Sequence, residues 1–232
     1  MPAKNRIKEY VENGYYHIYN RGVEKRIVFM DAQDHAVFLS YIKTYLTEKD
    51  TQSLKNILEG DSANSKEKDT AIKLLQMNNF FGDFTLLSYC LMPNHFHFLV
   101  HQREPDTIDR FMNSLGTRYS MYFNKKHKRV GPLFEGLYKA VLITSDEHLI
   151  HVSRYIHRNP ASQGPALQKY SYSSYGDYLG IKKTSWVDTN SILSLPYFKK
   201  QGIRSYKSFV EQSSYDEFSL TLIKDLTLDH EN

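Results

Sequence analysis

The sequence predicts an α+β fold: a ferredoxin-like or RRM-like antiparallel sheet with helices on one face, then a helix carrying a tyrosine and a C-terminal extension. Two observations carry that reading. The candidate elements run strand, helix, hairpin, helix, strand, an order that closes one antiparallel sheet under two helices. The 232 residues, 41% of them hydrophobic, suffice for one well-buried domain with appendages.

The first strand is Tyr15 to Asn20, aromatic-rich and ended by Arg21-Gly22. A helix follows from about Gln33 to Glu48, its apolar side drawn from Ala36, Val37, Leu39, Tyr41, Ile42 and Leu46. Residues 50 to 78 read as a polar insertion with a local helical pattern around Ala71 to Leu75. Phe84 to Met92 and His95 to His101 pair as a hairpin across the turn Pro93-Asn94. Ile108 to Phe123 repeats apolar residues at helical spacing, and a basic loop with Gly131-Pro132 leads to a strand from Tyr138 to Ile143. Thr144-Ser145-Asp146-Glu147 reads as a capping box opening a helix that runs to Asn159, before Pro160. The domain reading is a unit over 1–182 and an extension over 183–232 that ends in an acidic tail.

The strand after the turn carries chemistry. Side chains alternate along a strand, so His95, His97 and His101 share one face while Phe96, Phe98 and Val100 take the other. Two imidazoles two residues apart, about 6.6 Å along the chain, can converge on one ion. On the last helix, Leu149, Val152 and Ile156 form a packing stripe, and His148, His151, Tyr155 and Asn159 an adjacent polar one. If that helix crosses the sheet face left open by the others, the histidine pair and the Asn159 oxygen complete a three-ligand ion site beside the Tyr155 hydroxyl.

Charge is uneven. The chain has a formal net charge of +4, yet residues 211–232 hold six acids and one base, so the preceding 210 residues carry 29 bases against 20 acids. The segment from Arg118 to Lys139, with Lys125, Lys126, Lys128 and Arg129, has Glu135 as its one acid. It suits a solvated helix end as well as phosphate contact, and Tyr119, Tyr122, Phe123 and Phe134 within it offer faces for unpaired bases. The acidic tail is expected to shield this basic surface as a DNA mimic. Cys90 is the one cysteine, which excludes an intrachain disulfide and a thiolate metal cluster. No signal-peptide pattern and no run of about 20 apolar residues is present, so a cytoplasmic protein without membrane contact is expected. Phosphate-loop, serine-elbow, dinucleotide and Cys-x-x-Cys motifs are missing.

Tyr16-His17-Ile18-Tyr19-Asn20-Arg21-Gly22, Met92-Pro93-Asn94-His95-Phe96-His97, the stretch Tyr119 to Phe134 and Tyr155-Ile156-His157-Arg158-Asn159-Pro160 together resemble the single-tyrosine HUH transposases, in particular their REP-associated tyrosine transposase branch. The resemblance covers roughly residues 10 to 195. It implies cleavage and rejoining of single-stranded or hairpin DNA through a 5′-phosphotyrosine intermediate and a divalent metal ion. Magnesium or manganese is the family's suggestion, and paired imidazoles leave zinc open. Tyr155 would be the nucleophile, His95, His97 and Asn159 the metal ligands, and His148 or His151 auxiliary groups. Arg21, Arg118, Lys125, Lys126, Lys128, Arg129, Arg154 and Arg158 would contact DNA, and family analogy admits a homodimer. A non-catalytic nucleic-acid-binding module and a metallohydrolase using the histidine pair are the competing readings.

Overall fold

In a computed structural model, which describes residues 10–60, 62–163, 167–199 and 202–211, the strands are β1 (Tyr15–Arg21), β2 (Phe84–Met92), β3 (His95–Gln102) and β4 (Lys139–Ile143). They form one antiparallel sheet in the order β2-β3-β1-β4, with helices α1 (Ala32–Leu46) and α4 (Thr107–Lys126) crossing one face, which is the predicted ferredoxin-like arrangement. The polar insertion is two helices packed on each other, α2 (Thr51–Glu59) and α3 (Ser65–Gln76). The shielding expected of the acidic tail rests on residues 212–232, outside the described residues.

Directly opposed residues in antiparallel strands share a face. Ile18 opposite Phe98 and Tyr16 opposite Val100 therefore point together into a first core with Phe38, Phe111 and Leu115 of α1 and α4. A bulge between Leu86 and Ser88 reverses the parity of β2, so Leu86, Tyr89 and Leu91 all reach that core.

The face left open by α1 and α4 is crossed by α5 (Asp146–Arg158), the placement on which the ion-site reading depended. Helices α6 (Tyr175–Tyr178), α7 (Asn190–Leu193), α8 (Pro196–Lys199) and α9 (Gly202–Glu211) back it, a layer the sequence reading did not include. The reason is the sheet's own composition. Cys90, Met92, Leu99 and Ile143 put apolar surface between the histidines, and they bury it beneath Leu149, Val152 and Ile156. Each such side chain gains about 1.5–3 kcal/mol on leaving water, too much to stay exposed. The start of α5 is also shifted by one residue: the cap is Ser145, whose hydroxyl accepts from the His148 amide at 3.1 Å, in place of Thr144.

A chain of buried hydrogen bonds fastens α5 on its far side. The Ser153 hydroxyl donates to the Ile150 carbonyl at 2.7 Å and accepts from Tyr206 Oη at 3.1 Å. Tyr206 Oη must then accept from His157 Nδ1, 2.6 Å away, which leaves His157 Nε2 to accept from Ser174 Oγ at 2.8 Å. Ser174 Oγ also accepts from the Tyr89 amide, so one chain joins α5 to α9 and to β2. Burial pushes the His157 pKa down to about 3, as a neutral link in this chain requires.

His157→Phe keeps the ring volume but removes a buried hydrogen-bond partner from each of the Ser174 and Tyr206 hydroxyls. It is expected to lower unfolding free energy by about 2–4 kcal/mol, and Tyr206→Phe by about 1–2 kcal/mol, in urea titrations. Values within about 0.5 kcal/mol of the parent would remove the chain's structural importance.

Candidate active site

Strand β3 places His95 and His97 on the α5 face, and the last turn of α5 brings Tyr155 and Asn159 to them. The Tyr155 ring stands edge-on to His97, with centroids 5.4 Å apart at 85°, and edge-on to His17 of β1 at 5.9 Å and 84°. Asn159, one turn later, places Oδ1 3.2 Å from His95 Nε2 and donates from Nδ2 to the Tyr155 carbonyl at 3.3 Å. The four residues singled out in the sequence thus meet at one point, where β3 begins and α5 ends.

The hydrogen bonds around His95 have an unusual sign. Asn94 Nδ2 donates to the Lys25 carbonyl at 3.2 Å, which turns Asn94 Oδ1 toward His95 Nδ1 at 2.7 Å. Asn159 is oriented in the same way by the Tyr155 carbonyl, so His95 faces an acceptor oxygen at each ring nitrogen. A neutral imidazole has one N–H and satisfies one of them. The gap between Nε2 and Asn159 Oδ1 is a place for a second proton or for a cation.

His97 supplies the next donor. It is fully buried, and His97 Nε2 has no hydrogen-bond partner. Burial, then the fields of His95 and His17, hold its pKa well below the usual value, so it stays in the neutral form that binds metal. Among the described residues no three His, Cys, Asp or Glu side chains gather as a metal cluster. The donor set is two imidazole nitrogens and one amide oxygen, which fits a divalent ion of the manganese or zinc kind better than magnesium.

Two neighbours were not singled out. His17 bonds to His97, Nε2 to Nδ1, at 2.9 Å, and Lys139, opposite Tyr19, lies 5.8 Å from the Tyr19 ring on the same sheet face. The signal for both is strand alternation, which puts Tyr15, His17 and Tyr19 on the histidine side. Of the auxiliary candidates, His151 packs edge-on against Phe209 at 5.4 Å, and the field of His148 contributes to lowering the pKa of His17.

The basic residues divide into two groups. Lys126 is held by Asp31 and Asp34 at 2.7 and 2.8 Å, and Arg21 makes a two-pronged pair with Glu135. Arg118 stacks on Tyr41 at 3.8 Å and Arg129 donates to Asn124. Arg154 is 3% exposed over Phe209, and Arg158 donates to the Val210 carbonyl, so both brace α9 against α5. Lys125 and Lys128 are solvent-exposed. The long stems and charges of the first group were recruited by packing and by local acids. Two clefts, of about 460 and 310 Å³, are lined by residues of α4 and of the region around α2, and neither touches the histidines. The site itself is half-exposed at His95, Tyr155 and Asn159.

The buried histidines give stability a pH dependence. Burial lowers the pKa of His17 to about 3, and His97 and His157 are depressed as well. Near pH 6.5 and below, the unfolded chain therefore binds protons that the folded chain refuses. Stability is complete above that pH and declines as pH falls, by up to about 1.4 kcal/mol per pH unit for each such histidine. Urea titrations from pH 8 to pH 5 should show more than one proton taken up on unfolding; a flat profile would contradict the neutral, buried imidazoles.

Residues 55–159, the span that holds His95, His97, Tyr155 and Asn159, match the family described as Transposase IS200 like. No curated protein matches the chain. Among solved structures, a REP-associated tyrosine transposase bound to a REP hairpin is similar over 80% of this chain and 98% of its own, with 9% identity and a TM-score of 0.45. A crystal structure of a putative transposase from Deinococcus radiodurans R1 is similar over 70% of this chain and 99% of its own, with 16% identity and a TM-score of 0.28.

Proposed function

We propose that this chain, which over residues 55–159 matches the IS200-like transposase family, is a metal-dependent DNA strand transferase acting on single-stranded, hairpin-associated sites, with Tyr155 as nucleophile. The observation that carries the reading is the convergence of the Tyr155 ring on His97 with Asn159 Oδ1 on His95. His95 Nε2, His97 Nε2 and Asn159 Oδ1 would hold a divalent ion, which when bound supplies charge neutralisation at a nonbridging phosphate oxygen.

The protein's own groups do the rest. Tyr155 Oη attacks phosphorus and its proton passes to water. The bond from phosphorus to the 3′ oxygen breaks, that oxygen takes up a proton as a free hydroxyl, and the 5′ phosphate stays on Tyr155. One phosphodiester has replaced another, so the hydroxyl of the same or another strand reverses the step without ATP. The Tyr155 ring is positioned by its edge-on contacts with His97 and His17, and the buried contacts of Val152 and Ile156 limit the motion of the helix that carries it. The half-exposed setting, away from both clefts, suits a macromolecular phosphodiester more than a small enclosed substrate. Lys125 and Lys128 are the residues of the original basic set left to meet a DNA backbone, and Lys139 on the site face joins them.

Labelled hairpin DNA incubated with manganese and the protein should give an adduct that survives a denaturing gel, and Tyr155→Phe should abolish it while leaving binding within about threefold. An adduct retained by Tyr155→Phe refutes the nucleophile; nicking with no adduct from the parent protein favours a metallohydrolase; binding alone favours a non-catalytic module. Lys125→Ala with Lys128→Ala should weaken single-strand binding and flatten its logarithmic salt dependence by about 0.7 per lost contact, measured by anisotropy from 50 to 300 mM salt.

A further inference from the structure

His17 was absent from the set of candidate site residues, yet it is hydrogen-bonded to His97 in the buried part of the site. It lies on β1 diagonally across from His97, because His17 opposes Leu99 and Tyr19 opposes His97. The two imidazoles are nearly coplanar, 11° apart with centroids at 5.1 Å, and the contact runs from His17 Nε2 to His97 Nδ1 at 2.9 Å. Coplanarity at that distance aims the lone pair of one nitrogen along the N–H of the other. Tyr19 stacks on His17 at 5.0 Å and 30°, and Tyr155 closes the other side edge-on, so neither ring is free to turn.

Both histidines are fully buried and one hydrogen bond joins them, so in the neutral pair one hydrogen lies between the two rings. That proton has two homes. If it belongs to His17 Nε2, His97 Nδ1 accepts it and His97 Nε2 carries hydrogen. If it belongs to His97 Nδ1, His17 Nε2 accepts it and His97 Nε2 has a bare lone pair. The structure leaves His17 Nδ1 and His97 Nε2 without partners in both cases. Only the second arrangement makes the orphan at His97 an electron pair that can bind a cation.

We propose that His17 is a positioning residue: its Nε2 accepts the Nδ1 hydrogen of His97 and so fixes His97 in the tautomer whose Nε2 lone pair is bare. The contact between the two rings stands on the geometry; the choice between the two tautomers, and its use in holding a divalent ion, rest on the function proposed above. His17 itself cannot ligate beside His97 in this geometry, since its Nε2 is occupied by the hydrogen bond. The role is that of the partner groups which hold metal-bound imidazoles from behind, filled here by a second imidazole from the neighbouring strand.

Two variants separate position from bulk. In His17→Gln the side-chain carbonyl oxygen falls near the place of Nε2 and still accepts, whereas His17→Leu fills the space without an acceptor. Nitrogen-15 spectra of ring-labelled, metal-free protein should show His97 protonated at Nδ1 and bare at Nε2 in the parent and in His17→Gln, with that signature lost or mixed in His17→Leu. Manganese affinity, read by the electron paramagnetic resonance of the free ion without DNA, should fall by about 10- to 100-fold in His17→Leu and less than about fivefold in His17→Gln. Thermal unfolding of each variant identifies one that has not folded, in which case the parent's spectrum decides. A parent His97 protonated at Nε2, or a folded His17→Leu binding manganese as the parent does, overturns the proposal. A parent with the stated tautomer that binds no manganese overturns the metal site instead and leaves the His17 contact standing.

Discussion

Helix α5 must cover an apolar sheet face that also carries imidazoles, and the geometry of the site follows from how it does so. Leu99 and Ile143 press up from the strands, and Leu149, Val152 and Ile156 press down from the helix. Close packing of such side chains leaves one depth and one rotation in which voids are avoided. At that rotation Tyr155 stands against His97 and His17, and Asn159 emerges over His95. The chain from Ser153 through Tyr206 and His157 to Ser174 fixes the same helix from its other side, because it links α5 to α9 and to β2 through buried hydrogen bonds.

Burial has an electrostatic consequence at the site. The same apolar contacts that seat α5 remove His17 and His97 from water, and an imidazolium without water or a counter-charge is costly. The two rings therefore remain neutral and share a hydrogen, while His95, at the half-exposed rim, meets oxygens on both sides. A gradient runs across a few ångströms, from buried neutral donors to a rim that accepts positive charge.

Much of the architecture was legible in the chain. Tyr15 to Asn20 announces its strand by aromatic strand propensity, Phe84 to Met92 by an apolar run ending at a tight turn and His95 to His101 by alternation after it, and observed bounds differ by at most one residue. The shared face of His95 and His97 and the shared flank of Tyr155 and Asn159 were legible because a spacing of two on a strand and of four on a helix each define one side. Less legible was the second core. Tyr175, Tyr178, Tyr206 and Val210 lie in segments of four to ten residues whose burial depends on where α5 already lies, and no local period announces that. The basic set misled most, since Lys126, Arg118, Arg154 and Arg158 look alike in sequence whether they face water or are held by Asp34, Tyr41, Phe209 and the Val210 carbonyl.

By itself the sequence determined which side of each element its residues occupy, because alternation and helical pitch are properties of the local backbone. From that follow the sheet, the paired histidines on one face and the tyrosine and asparagine on one helix flank. The tertiary structure alone decided what each polar atom meets: that His97 Nδ1 finds a residue 80 positions earlier, that His95 finds an oxygen 64 positions later, and which cations stay exposed. Those outcomes depend on strand register and on the seating of one helix, and both are settled by packing summed over the whole core.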